Sequence, residues 1–314
     1  MVDNSIVQFV EIDENAVGQR VDNYLLKILK GVPKSRIYRI LRKGEVRVNK
    51  GRVKASVKLQ LGDVLRVPPI RTSNDDETKL AGNWLLETLD KAIIYEDKRL
   101  LIINKPSGIA VHGGSGISIG VIEAFRQLRP DQKSLELIHR LDRDTSGCLM
   151  IAKKRSCLRS IQSMLSNKTR LEKHYLAVVH GKWPRRKQHV DAPLVKNTLK
   201  SGERVSSVSS EGKSALTRIS VLEQSADFSL LAMQPVTGRT HQLRVHCQHT
   251  GYPIVGDEKY GYEEQDAQLK RLGVRRLMLH ASRLVIPATE PGEKTIRVEA
   301  PAGNSFQKMT EMIK

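Results

Sequence analysis

The chain has 314 residues, 39% of them apolar, with 53 Lys or Arg against 34 Asp or Glu and a net charge of +19. That length suits a catalytic core plus one small accessory domain; no run approaches the roughly 18 unbroken apolar residues of a membrane helix, and the acidic start around Asp3 argues against a secretory leader, so the cytoplasm is the expected compartment. Cys148, Cys157 and Cys247 are scattered without a C-x-x-C pair, which disfavours a disulfide framework or a cysteine zinc site, while the positive excess points to a polyanionic partner, nucleic acid first.

The basic residues concentrate early. Between Arg20 and Arg71 stand fifteen Lys or Arg and three acids (Asp22, Glu45, Asp63), a net +12. Val21, Leu25, Ile28 and Leu29 recur at helical spacing, and Pro33 ends that helix and opens a second from Ser35 to Leu41. The second helix gathers Arg36, Arg39, Arg42 and Lys43 near one face, spaced to follow a phosphate backbone. Short strands are expected at Val46, Val48 and Val53 and again at Val64 to Val67, with turns at Asn49 to Gly51 and at Gly62 and Asp63. The stretch TSNDDET, Thr72 to Thr78, lacks periodicity and apolar weight and reads as a linker. The expected limits are 18–72 for a small basic αβ domain, 73–88 for the linker and 89–314 for the larger domain.

Arg20, Asp22, Ser35, Arg36, Gly44, Val46, Val48, Asn49, Gly51, Val53, Gly62 and Asp63 give this segment a resemblance to the RNA-binding domain named after ribosomal protein S-four. The resemblance implies that the helical pair offers its basic face to structured RNA. Tyr24 and Tyr38 are too few aromatics for a base-stacking platform, so recognition of backbone and shape is expected.

From residue 90 onward, strand-like runs (Lys91 to Tyr95, Leu100 to Ile103, Cys148 to Ala152, Tyr175 to Val179, Ser229 to Met233, Thr295 to Val298) alternate irregularly with helical segments. This favours an α+β class with a mixed sheet over a doubly wound one. Two helices stand out, Ser156 to Leu165 with Ser156 as cap, and Thr240 to Thr250 with Thr240 as cap and Gly251 as stop.

In HRLDRDTSG, residues 139–147, the Thr, Ser and Gly predict a tight turn into the strand at Cys148, placing Asp142 at a strand edge. Taken alone, Asp142 and Asp144 are better explained as solvated turn groups than as a catalytic pair. Three further segments change that weighting: NKPSGIAVHGG with Asn104, Lys105, Pro106 and His112; KHYLAVVHG with Lys173, Tyr175, Ala177, Val179 and Gly181; and RTHQLRVH with Arg239, Thr240, His241, Gln242, Arg244 and His246. In this order they resemble the RluA family of pseudouridine synthases. With the basic domain and the phrase VPKSRIYRILRKGEVRVN, the chain looks like the RluC-type branch, which modifies uridines of bacterial large-subunit (23S) ribosomal RNA. His139 argues against the related branch with GRLD.

The resemblance implies a mixed, mainly antiparallel sheet and an isomerase, an intramolecular transferase, acting on 23S ribosomal RNA or its large-subunit precursor. It implies no cofactor and no protein partner, with a monomer as the default. It also assigns roles. Asp142 is the nucleophile, able to trap C1′ of the ribose or to help detach the base. An anionic carboxylate in a water-shielded pocket needs a cation, for which Arg244 is the candidate, with Arg239 better placed for a phosphate; the two roles are exchangeable. Tyr175 stacks on the uracil and assists removal of the C5 proton, although strand alternation alone leaves a core tyrosine equally good. A stacked uridine has to be extruded to reach Asp142, and Arg140, like His112, is expected to touch RNA.

Two rivals remain. A metallohydrolase built from His139, His241, His246, His249 and His280 is disfavoured because His241 and His246, five apart on a helix, diverge and no H-E-x-x-H completes a ligand set. A non-catalytic RNA-binding or ribosome-assembly factor is disfavoured because all three catalytic motifs are intact.

Overall fold

The computed structural model describes residues 6–14, 16–29, 31–70, 80–113, 119–132, 134–166, 171–198, 204–288 and 293–313. The chain divides into two compact units, 1–80 and 81–314.

The first unit contains strand β1 (Gln8–Glu11), helices α1 (Val21–Ile28) and α2 (Lys34–Lys43), and strands β2 (Arg47–Val48), β3 (Gly51–Arg52) and β4 (Val64–Val67). Its antiparallel sheet runs β1-β4-β2-β3. Val21 and Leu25 of α1 and Ile37, Ile40 and Leu41 of α2 are buried, the i, i+3, i+4 pattern of a helix with one inner face. Arg39, Arg42 and Lys43 are therefore left exposed, while Arg36 is half-buried. Gly44 closes α2 at φ 70, its N–H bonding back to the carbonyls of Ile40 and Leu41. Between β2 and β3 the two turn residues Asn49 and Lys50 both have positive φ, which matches the twist of a tight hairpin. Asp22 is buried and accepts bonds from Arg20 at 3.0 and 2.6 Å and from the Tyr38 hydroxyl at 3.0 Å. The Arg20 bonds hold its carboxyl below the ordinary range, and they pin Tyr38 beside α1. Strand β1, unexpected from sequence, covers the β4 edge.

The second unit holds α3 (Asn83–Lys91), β5 (Ile93–Glu96), β6 (Leu100–Lys105), α4 (Val121–Leu128), β7 (Glu136–Leu137), β8 (Ser146–Ala152), α5 (Arg155–Ser166), β9 (Glu172–His180), β10 (His189–Asp191), β11 (Leu194–Thr198), β12 (Arg204–Val208), β13 (Leu216–Gln224), β14 (Phe228–Pro235), α6 (Gln242–His249), α7 (Glu263–Arg271), β15 (Leu279–Ile286), β16 (Ile296–Glu299) and α8 (Asn304–Glu311). The main sheet is ordered β10-β13-β14-β9-β15-β8-β6-β5, with β16 also on β15 and β7 also on β8. Its pairings are antiparallel except β15 with β8, so the class is α+β with a mixed, mainly antiparallel sheet. One core forms around β6 and β8, both nearly wholly buried, with α3, α4 and α5; a second forms around β9, β14, α6 and α8. Tyr175 of β9 packs against both.

Three local expectations are corrected. The linker was placed at 73–88, but α3 occupies 83–91 and buries Leu89 with Leu85 and Leu86 beside it, while 73–79 lie outside the described residues. Ser156 is not a cap, because α5 already begins at Arg155. Thr240 is not a cap either: His241 takes that position with φ 54, and the side-chain oxygen of Gln242 accepts the Arg239 N–H at 3.0 Å and the Thr237 hydroxyl at 2.7 Å.

Candidate active site

The turn carrying Asp142 enters β8 and is tied down from several sides. The Ile138 N–H donates to the Met150 carbonyl at 3.1 Å, and the Met150 N–H donates to Nε2 of His139 at 3.1 Å. That ring must stay neutral to accept, and burial, reinforced by the charge of Lys173, pushes its pKa down to about 3. The fully buried Lys105 donates to the carbonyls of Pro106, Ile109 and Arg143 at 2.8, 2.8 and 2.9 Å, lacing the end of β6 to the turn. Burial draws the Lys105 pKa down to about 7 against the pull of Asp144 and Asp142, yet three carbonyl acceptors suit an ammonium with three N–H groups, and geometry favours the charged form. Beyond the turn, His280 donates Nε2–H to Ala300 at 2.9 Å, so its Nδ1 accepts the Ser146 hydroxyl at 2.8 Å, and Arg276 donates to the same hydroxyl oxygen. Gly147 has φ 107, and a Cβ there would strike the Ala281 backbone.

Arg244 reaches this turn from α6. Its Nη1 donates to Oδ2 of Asp142 at 3.2 Å, and its Nε and Nη2 form a two-pronged bond to Asp257 at 2.8 and 2.7 Å. Asp257 is wholly buried and Arg244 nearly so. Burial opposes the guanidinium charge, but the Asp257 bonds, with Asp142 added, outweigh it and hold the Arg244 pKa above its ordinary value. Arg244 also lies 5.1 Å from the centre of the Tyr260 ring, within cation–π range.

Asp142 and Arg244 line a cleft of about 690 Å³ that also presents Tyr175, Lys173, Arg140, Arg239 and His241. Burial raises the Tyr175 phenol pKa, and the Asp142 charge adds to this; burial lowers that of Lys173. Arg140 and Arg239 are exposed, Arg239 donating Nε–H to the Ser214 carbonyl at 3.1 Å. Asp144 faces outward, its side chain 39% exposed and paired with Arg143 at 3.1 Å.

The cleft thus brings together Asp142, Tyr175, Arg244, Arg140 and Arg239. His112 is exposed and does not line it, and Arg36, Arg39, Arg42 and Lys43 belong to the other unit. Three histidines of the rival metal site have separate employments: His246 meets Thr217 Oγ1 at 2.9 Å and Ala192 O at 3.1 Å, while His139 and His280 serve the turn and β15. Among the described residues no three His, Cys, Asp or Glu side chains gather as a ligand set, and no helix is long and apolar enough to cross a membrane.

Residues 99–249 match the RNA pseudouridylate synthase family and residues 19–65 the S4 domain family. The chain is 53% identical over 307 residues to ribosomal large subunit pseudouridine synthase C of Pasteurella multocida, covering 98% of this chain and 94% of that protein. This chain belongs to the RNA pseudouridylate synthase family. The protein of the same name from Yersinia pestis is 52% identical, covering 97% of this chain and 95% of the relative, and that of Escherichia coli K12 is 50% identical, covering 98% and 97%. Among solved structures, human RNA pseudouridylate synthase domain containing 4 has a TM-score of 0.60 at 27% identity, over 74% of this chain and 96% of its own. Human domain containing 1 has 0.56 at 28%, over 71% and 86%.

Within this pseudouridine synthase, Asp257 and Tyr260 are parts of the site that sequence reasoning did not name, and His241 was named only within its motif and the disfavoured metal set. The signal was available in GDEKYG, residues 256–261, an Asp and a Tyr bracketed by glycines after a buried apolar pair, Ile254 and Val255.

Proposed function

We propose that the synthase converts uridines of large-subunit (23S) ribosomal RNA, or its precursor, to pseudouridine, with Asp142 as nucleophile, no cofactor and no protein partner, as a cytoplasmic monomer. The relatives' shared name supports the RNA class, and the net +12 between Arg20 and Arg71 supports delivery of a structured polyanion. The observation that carries the chemistry is the Asp142 carboxylate bonded at 3.2 Å to an arginine that is itself locked by a second, buried carboxylate.

The isomerisation breaks the bond from C1′ to N1, turns the uracil, joins C1′ to C5, and exchanges a proton at C5 for one at N1. No electron is gained or lost, so an anionic nucleophile and proton handling suffice. Asp142 acts at C1′ or helps detach the base. Arg244 pairs with its carboxylate and aims it. Tyr175, at the junction of the two cores, stacks on the extruded uracil and assists removal of the C5 proton. Arg140 and Arg239, exposed at the cleft, touch the RNA, Arg239 at a phosphate. His112 and the α2 residues Arg36, Arg39, Arg42 and Lys43 contact RNA outside the cleft.

With RNA tritiated at uridine C5, Asp142→Asn abolishes tritium release while leaving RNA affinity nearly intact, and Asp144→Asn, outward-facing, retains activity. The reverse pattern would overturn the assignment.

A further inference from the structure

Asp142 is met from two sides. Its Oδ2 takes the Arg244 bond, and its Oδ1 faces Nε2 of His241 at 3.8 Å. His241 sits there by virtue of an uncommon backbone: φ 54 and ψ 21 lie in the left-handed region, sparsely used by residues with a Cβ, and its side chain is only 10% exposed. Its other ring nitrogen, Nδ1, lies 2.8 Å from the Tyr260 hydroxyl. That hydroxyl oxygen already accepts the Ser206 backbone N–H at 2.9 Å. Tyr260 rides on the turn whose Asp257 grips Arg244, since the N–H groups of Lys259 and Tyr260 donate to Asp257 Oδ1 at 3.0 and 3.1 Å. One turn therefore braces both groups that face Asp142.

We propose that Tyr260 donates its hydroxyl proton to Nδ1 of His241 and so fixes a neutral imidazole whose Nε2–H points at Oδ1 of Asp142. Tyr260 is then a positioning residue, and His241 a second donor that orients the nucleophile. Two consequences of the opposite arrangement argue against it. With the proton on Nδ1, the buried Tyr260 hydroxyl hydrogen loses that nitrogen as its acceptor, and the Nε2 lone pair faces a carboxylate. Burial also lowers the His241 pKa, with Arg244 and Lys259 adding to it against the pull of Asp142, which disfavours the doubly protonated ring. The 3.8 Å separation is longer than a hydrogen bond and closes when RNA fills the cleft, as catalytic contacts commonly do only in the complex. With one donor on each oxygen, the plane of the carboxylate is set, and whichever oxygen reacts, the other keeps a donor.

This inference rests on Asp142 being the nucleophile, and its test separates the two ideas. Nitrogen NMR of the histidine-labelled full-length protein reads the tautomer without turnover. His241 is expected to be protonated on Nε2 in the wild type and in Asp142→Asn, and to lose that preference in Tyr260→Phe. In single-turnover assays, Tyr260→Phe and His241→Asn slow the reaction about 10-fold or more at unchanged RNA affinity, the scale of losing one bond to a charged group. His241→Gln recovers most of the rate, because its amide N–H reaches where Nε2–H did. A merely structural His241 gives the opposite order, since Asn tolerates left-handed backbone better than Gln. An Nδ1-protonated or charged ring in the wild type, or Asn matching or exceeding Gln, overturns the proposal. An active Asp142→Asn enzyme with the expected tautomer instead sinks the nucleophile assignment and leaves the Tyr260–His241 pair standing.

Discussion

His139 supports the turn by accepting a backbone N–H, a use of the ring that a second proton destroys. Its pKa is held at about 3 in the fold, chiefly by burial, against 6.5 for an unperturbed imidazole. Between those values the unfolded chain binds more protons than the folded one, so stability falls as pH drops from about 6.5 towards 3, and the contribution is complete above 6.5. Burial lowers His246 and His280 as well, and they share the same acid limb. His139→Asn should cost roughly 1–2 kcal/mol at neutral pH from the altered backbone bond. That deficit should shrink by about pH 4, because Asn has no proton to take up. Urea unfolding across a pH series measures the gap; a gap constant with pH would rule out this role. Sequence marked His139 as a motif letter and as a disfavoured metal ligand, since nothing local reveals that the ring will replace a strand partner.

At the scale of elements, the seam between β15 and β8 is short and parallel, resting on the pairs His280↔Ser146 and Ala281↔Gly147. Gly147 admits the Ala281 backbone and supplies a φ that other residues rarely adopt, so Gly147→Ala is penalised twice. It should lower stability by about 3 kcal/mol or more and, by shifting the turn, slow catalysis; a melting temperature within a few degrees of wild type would refute this. The turn itself was legible, because Thr, Ser and Gly before an apolar strand have a local mechanism. So were β6, β8, β9 and β14, which are apolar runs, and α1 and α2, which keep one periodic inner face. Strands β13 and β15, written LTRISVLEQ and LHASRLVI, were not, since polar residues interrupt them on faces that only the neighbouring elements define. The start of α6 was misjudged because Thr240 meets the local rule for a cap while Gln242, reaching Leu216 and Thr217, answers to tertiary partners. Asp142 and Arg244 are 102 residues apart, and their meeting was readable only through motif resemblance; Asp257, outside any motif considered, was missed for the same reason.

At the scale of the whole molecule, the charge and the proposed chemistry are divided. The segment Arg20 to Arg71 carries net +12, whereas Asp142, Tyr175, Arg244, His241 and Asp257 all lie in residues 81–314, which have their own cores. A protein that neutralises RNA phosphates releases counterions, and each contact steepens the salt dependence of binding by about 0.7–0.9 in log–log slope. If Arg36, Arg39, Arg42 and Lys43 each meet one phosphate, a fragment of residues 81–314 should bind long ribosomal RNA with a slope shallower by about 3. Its affinity should fall most at low salt and converge on that of the full chain at high salt, where released ions no longer favour binding. On a short hairpin carrying the target uridine, the fragment should keep its single-turnover rate once saturated, because the residues that line the cleft with Asp142 all belong to 81–314. Salt titrations of the full chain and the fragment, read beside tritium release from the hairpin, separate delivery from chemistry. An unchanged slope would remove the first unit from RNA binding, and a fragment that binds the hairpin but cannot turn it over would place part of the catalytic apparatus in the first eighty residues.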